Sequence, residues 1–270
     1  MDGKKKRNIT LGFAIAVAVL ALGITIADEI VRSVVFAGKY PYIIITLGLG
    51  AIERFLLSIV AILLIIALGY KRVLKVGIKG GILVCLGGMA VALANFPFAS
   101  FAEGSIVVEA GNAEWVVYIA YCIAVGLFEE TAFRGLVFPL VLEKTQDKRH
   151  GPALAVILSS SIFALVHLLN LLQGAGVSAT VMQIGYTFLV GAMCNVIFIA
   201  TKSLALPVFV HAVFDVGGLL VGSGMAEGAQ WNAVSIPIMA VVSVLVGAYM
   251  IFWFFRHETE ALKIVKPQDN

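Results

Sequence analysis

The sequence predicts an all-α fold: a polytopic membrane protein, a bundle of eight transmembrane helices with both termini in the cytoplasm. Three observations predict it. Of the 270 residues, 61% are hydrophobic and 13% charged, and the mean hydropathy is +1.02; soluble domains run nearer half apolar and a quarter charged. The apolar residues fall in continuous runs of about twenty, the length that crosses a hydrocarbon core of roughly 30 Å. Lys and Arg gather on one side of the bundle that these runs define, as the positive-inside rule requires. A membrane β-barrel is excluded, because its strands alternate apolar and polar residues and these runs do not.

The first candidate span covers 9–27, behind the basic stretch KKKR at 4–7. That start fits the n-region of a signal peptide. The apolar run is long for an h-region and no A-x-A site ends it, so it reads as a retained anchor helix. The next spans are expected over 42–70, 80–96, 113–142, 152–172, 182–200, 204–222 and 234–255. Those at 42–70 and 113–142 are long enough to tilt or to contain a break. Connections are short and no linker divides the chain. A single transmembrane domain is therefore expected over 1–270, with its polar motifs at about 113–222.

With the N-terminus inside, the cytoplasmic side receives Lys4, Lys5, Lys6, Arg7, Lys71, Arg72, Lys75, Lys79, Lys144, Lys148, Arg149, Lys202, Arg256, Lys263 and Lys266, fifteen of the 19 Lys and Arg. Arg32 and Lys39 fall outside, and Arg54 and Arg134 fall within the membrane. The 97–112 connection and the start of the next span carry Glu103, Glu109 and Glu114 and no Lys or Arg. One span more or fewer scrambles this segregation. The chain is thus expected to be an integral, multi-pass protein, of the plasma or inner membrane if prokaryotic, with the lipid bilayer as its surroundings. No basic stretch interleaved with aromatics marks a nucleic-acid partner. Cys85, Cys122 and Cys194 lie in apolar runs without C-x-x-C spacing and read as small core residues.

Ionisable residues inside the membrane are costly, at roughly 2.5–3.5 kcal/mol each on insertion scales, and mark function. Three spans carry them here. The stretch 126-GLFEETAFRG-135 holds Glu129, Glu130 and Arg134; 158-LSSSIFALVHLLN-170 holds His167; 204-LALPVFVHAVFDVGG-218 holds His211 and Asp215. Glu130 and Arg134 are i, i+4, share a face and can pair. Glu129 points about 100° away, towards a different partner. His211 and Asp215 are also i, i+4, as are Phe163 and His167. Adjacent Glu53 and Arg54, in the 42–70 span, face different ways and read as a packing or pairing feature. If the three polar faces converge, they form one buried site of two Glu, two His, an Asp and an Arg.

Such a site suits water activation. Arg134 would keep Glu130 ionised. Glu129, with no cation of its own, is placed to act as a general base, with His167 sharing the water. A second imidazole across the site would donate to a developing oxyanion. No serine or cysteine nucleophile pairs with these histidines, and H-E-x-x-H is absent. Two other classes remain open at this point: a proton-coupled transporter, whose relays use the same residue types, and a non-catalytic scaffold or immunity protein.

EETAFRG at 129–135 matches E-E-x-x-x-R-G, FALVH at 163–167 matches F-x-x-x-H, and HAVFD at 211–215 matches H-x-x-x-N/D. In order and spacing these resemble the CAAX protease and bacteriocin-processing (CPBP or Abi) family of intramembrane glutamate proteases, which includes the type II CAAX prenyl endopeptidases. The resemblance implies an intramembrane endopeptidase acting on a membrane-associated or hydrophobic peptide or protein, with or without a lipid group. It implies catalytic roles for Glu129, Glu130, His167, His211 and Asp215, supported by Arg134 and Phe163. Glu129 and His167 would activate water, and His211 and Asp215 would form the oxyanion side. CAAX-cleaving members resemble H-x-x-x-N, whereas this chain has Asp215. An amide can donate to an oxyanion and an ionised carboxylate cannot. Asp215 must therefore be protonated, orient His211 from behind, or help bind a metal. No cofactor is predicted. Were the chemistry metal-assisted, a divalent ion such as zinc would take Glu129, His167 and His211 as ligands.

Overall fold

The computed structural model describes residues 42–74 and 80–265. The expected span over 9–27, the KKKR stretch at 4–7, and Arg32, Lys39, Lys75, Lys79 and Lys266 lie outside the described residues. In chain order the main helices are α1 (Tyr42–Ala67), α2 (Ile82–Ala94), α3 (Phe98–Ala102), α4 (Asn112–Ala132), α5 (Phe138–Thr145), α6 (Gly151–Val166), α7 (Val177–Thr201), α8 (Ala205–Gly218), α9 (Ser235–Arg256) and α10 (Leu262–Val265). Between α4 and α5 the helix continues through one π turn, Phe133–Val137, so the two form a single long rod. After α6 the chain tightens into a 3-10 stretch, His167–Gln173.

Six of the described helical stretches are long and apolar enough to cross a membrane, and they coincide with six of the expected spans. Large apolar side chains such as Ile52, Leu63, Leu83, Val181, Val244 and Phe252 stand exposed on them. In water that surface would aggregate; in a bilayer it faces lipid. The protein is an integral, multi-pass membrane protein.

The stretch expected to span over 204–222 behaves differently. Its helix, α8, has 14 residues, about 21 Å at 1.5 Å per residue. That is shorter than the hydrocarbon core. It stops at Gly217–Gly218, and the chain then turns through Gly224 at φ +81°. The all-α expectation also needs one small amendment. Strand β1 (Ile106–Val108) pairs antiparallel with β2 (Ala226–Gly228), Val107 opposite Glu227. This two-stranded patch ties the segment before α4 to the segment after α8. Both strands are three residues long, too short for a period-two pattern to show in sequence.

α7 lies at the centre, with 67% of its apolar window buried against 11% for α9. It packs on α6, α2 and α8, while α4 packs on α1 and α8. Small residues allow these approaches. A Cβ at Gly126 of α4 would lie 3.1 Å from Ala212 N and Val208 O of α8. The added Cβ would meet backbone there, so no flexible side chain can give way. Gly126→Val should therefore push α8 off α4, at about 1–3 kcal/mol of overpacking, and lower any activity that needs both helices. Gly185, whose Cβ would meet nothing within 4 Å, supplies the control: Gly185→Ala should leave thermal stability and activity near wild type.

The cysteines are free and buried, as expected of core residues. At the far end of α7, Lys202 takes the left-handed conformation (φ 56°) that closes the helix. Its Nζ donates to Glu260 O at 2.6 Å and lies 3.5 Å from the Glu260 carboxylate. This clasp fastens the C-terminal turns to the bundle.

Candidate active site

The acidic pair sits in the last turn of α4, just before the π turn. Thr131 Oγ1 donates to Leu127 O on the same helix. Within the π turn, Gly135 passes close to α1: a Cβ there would lie 2.5 Å from Ile65 Cδ1. π turns inserted in α-helices often mark functional sites. Sequence periodicity does not register one extra residue, so this feature is absent from the sequence reading.

The i, i+4 pairing expected of Glu130 and Arg134 is present. Arg134 Nη1 donates to Glu130 Oε1 at 2.7 Å, with both side chains essentially fully buried. Arg134 Nη2 donates to the carbonyl of Gly191 on α7 at 2.9 Å. Its guanidinium stands 4.9 Å from the ring centre of Phe163. The arginine thus joins α4, α6 and α7.

From α8, His211 enters between the two glutamates. Its Nδ1 lies 2.7 Å from Glu130 Oε1. A carboxylate accepts, so this nitrogen carries the proton. Nε2 lies 3.5 Å from Glu129 Oε2 and 3.7 Å from Asp215 Oδ2. One imidazole therefore faces three carboxyl groups. Glu130 is locked, its Oε1 shared by Arg134 and His211. Glu129 differs: its side chain is 22% exposed while that of Glu130 is 0% exposed.

His167 lies at the end of α6, where the helix passes into the 3-10 turn. Its Nδ1 donates back to the Phe163 carbonyl at 3.0 Å, leaving Nε2 as the ring's acceptor in the neutral form. The sequence leads to the expectation that His167 shares a water with Glu129. Among the described residues His167 has no carboxylate within 4.0 Å, and the imidazole beside Glu129 is that of His211. The physical reason is local: at the helix end the ring folds back on the Phe163 carbonyl of its own helix. Phe163 links the two histidines. Its ring meets His167 edge-on at 5.3 Å and His211 at 6.1 Å, and Phe133 packs against it at 4.8 Å. Of the residues singled out in the sequence, Glu129, Glu130, Arg134, His211 and Asp215 meet directly, and His167 joins them through Phe163.

Two participants were not assigned to the site from sequence. Gly191 contributes its carbonyl, which no side-chain pattern could reveal. Arg54, read as a packing or pairing residue, lies 3.8 Å from Glu53 and 5.0 Å from the ring centre of Tyr121 on α4. Its packing against an aromatic was not legible, because nothing in the sequence shows α1 lying along α4. Asn195 of α7 donates to Ser159 and Ser160 of α6 at 3.0 and 3.1 Å, the inter-helix role expected of it. Among the described residues, no group of three or more His, Cys, Asp or Glu side chains has the arrangement of a metal-ligand set.

All of these site residues, apart from Arg54, lie between the start of α4 and the end of α8. Residues 111–217 match the family model described as type II CAAX prenyl endopeptidase Rce1-like. Over this segment the chain is similar to that family. The matched segment contains the acidic pair, both histidines and Asp215, and the family it resembles is described as an endopeptidase. No curated protein and no solved structure matches the chain.

Proposed function

We propose that this Rce1-like protein is an intramembrane endopeptidase that hydrolyses a peptide bond in a membrane-associated or hydrophobic substrate. The reading carries with it eight spans with both termini cytoplasmic. The observation that supports it best is the unequal setting of the two glutamates. Glu130 is consumed by Arg134 and His211, while Glu129 remains partly accessible beside the same imidazole. A general base must reach its water, and Glu129 is the carboxylate that can be reached.

In this reading Glu129 takes a proton from water as the oxygen attacks the scissile carbonyl. His167 holds that water through its free Nε2. The carbonyl oxygen becomes an oxyanion and accepts a hydrogen bond from His211. With both ring nitrogens protonated, His211 gives Nδ1–H to Glu130 and turns Nε2–H to the oxyanion. Asp215, one turn along α8, orients the ring. Protonated Glu129 then returns its proton to the leaving amine as the C–N bond breaks. Water and one peptide bond become a carboxylic acid and an amine. Asp215 stands where CAAX-cleaving members of the family have Asn, and the substrate is a hydrophobic peptide, lipidated or not.

The test compares membranes carrying the wild-type chain with membranes carrying Glu129→Gln at equal abundance, reading new N-termini by mass spectrometry. Cuts confined to wild type support the endopeptidase and name its substrates. Identical patterns from a folded variant would favour a scaffold or a transporter. Strong chelators should leave the rate unchanged. Loss of activity with chelator, restored by zinc, would instead assign Glu129, His167 and His211 to a metal.

A further inference from the structure

α8 ends inside the protein. The last carbonyls of a helix have no partner within it, and where they are buried they cannot turn to water. Here buried side chains from three separate segments meet five carbonyls in succession. Asn95, closing α2, donates Nδ2–H to Phe214 O at 2.9 Å. Tyr118 of α4 donates its hydroxyl to Val216 O at 2.8 Å, with Asp215 O at 3.2 Å. Asp215 O also accepts the backbone N–H of Leu219 at 2.9 Å. Gln230, just beyond β2, donates Nε2–H to Gly217 O at 3.1 Å and to Gly218 O at 2.5 Å, and its Oε1 accepts from Val221 N at 3.0 Å. Ser100 holds Gln230 in turn, donating to its carbonyl at 3.0 Å. Asn95, Tyr118 and Gln230 are all buried.

We propose that Asn95, Tyr118 and Gln230 are positioning residues for the reaction, a collar that fixes α8 along its axis and so seats His211 between Glu129 and Glu130. The proposal rests on the endopeptidase reading for its kinetic consequences. Its geometry stands apart from that reading. Tyr118 grips the carbonyl of Asp215 itself, and His211 lies one helical turn before it. His211 Nε2 is 3.5 Å from Glu129 and 3.7 Å from Asp215, a difference of 0.2 Å. Asp215 rides on the same helix as His211, so an axial slide of α8 changes the distance from that nitrogen to Glu129 and leaves its distance to Asp215 as it was. Gly218 shows how closely the collar fits: a Cβ there would lie 2.5 Å from Asn95 Nδ2.

The test is Tyr118→Phe in the full chain, reconstituted in lipid nanodiscs. It removes one hydroxyl and leaves the ring. Turnover per folded molecule should fall about 10- to 100-fold, the penalty of sub-ångström to ångström misplacement. KM should stay unchanged, the pH–rate profile should move, and amide exchange over 211–219 should rise. Thr145→Val is the control. Thr145 is a buried hydroxyl bonded within α5 and its approach, to Val141 O at 3.1 Å; its loss should lower thermal stability and leave turnover and pH profile alone. Wild-type turnover and pH profile in folded Tyr118→Phe would overturn the proposal, as would unchanged exchange over 211–219. Should Tyr118→Phe not fold, Gln230→Met, which removes the Nε2 donors, carries the same expectations. A wild-type chain that cleaves nothing would overturn the endopeptidase reading and the kinetic role with it, while exchange in the variant would still decide whether the collar holds α8.

Discussion

Glu129→Gln should lower turnover by about 10²- to 10⁴-fold, the usual worth of a positioned general base, with the fold intact. Glutamine keeps the shape of the side chain. It cannot take a proton from water, and it leaves the Arg134 ion pair whole, because Arg134 is paired with Glu130 and not with Glu129. His211 would retain its bond to Glu130 at 2.7 Å. Initial rates on a peptide substrate, measured in proteoliposomes alongside thermal unfolding, would check this. Equal rates for variant and wild type would remove Glu129 from the chemistry. Loss of stability with loss of rate would make it a structural residue.

The largest effect on stability is expected at Arg134. Arg134→Met should cost about 3–5 kcal/mol, the range for breaking a buried ion pair. The substitution strands Glu130, which is 0% exposed, with a charge and only His211 beside it. It also removes the donor to Gly191 O and the guanidinium over Phe163. Pairing Arg134→Met with Glu130→Gln should recover part of the loss, because it removes the charge that Arg134→Met alone leaves stranded at Glu130. Denaturant or thermal unfolding in detergent, run as a double-mutant cycle, would measure the coupling. Additive losses would show that Arg134 and Glu130 are not energetically coupled. Arg134→Lys should behave more like methionine than like arginine. A single ammonium cannot reproduce the fork that reaches Glu130 and Gly191 together.

Much of this was legible in one dimension. Hydropathy is a property of contiguous residues, so the six long apolar helices could be placed to within a few residues at most of their ends. The Glu130–Arg134 pair follows from helical geometry alone, since residues four apart must share a face. The motif spacing E-E-x-x-x-R-G, F-x-x-x-H and H-x-x-x-D marked the residues that gather around Phe163 and His211. The short strands, the early end of α8 and the π turn were not legible, because each depends on one or two residues and leaves no periodic trace.

By itself, then, the sequence determined that this is a helical membrane protein with three polar faces, and which side chains those faces carry. Only the tertiary structure decided which of them meet. It gave His211 rather than His167 to Glu129, set Glu130 beyond reach and left Glu129 accessible, and closed the end of α8 with Asn95, Tyr118 and Gln230. The physical reason is that spacing along a helix fixes a residue's direction relative to its own axis. The rotation and depth of one helix against another are set by long-range packing, here by close approaches such as Gly126 on α8 and by buried carbonyls that must find partners.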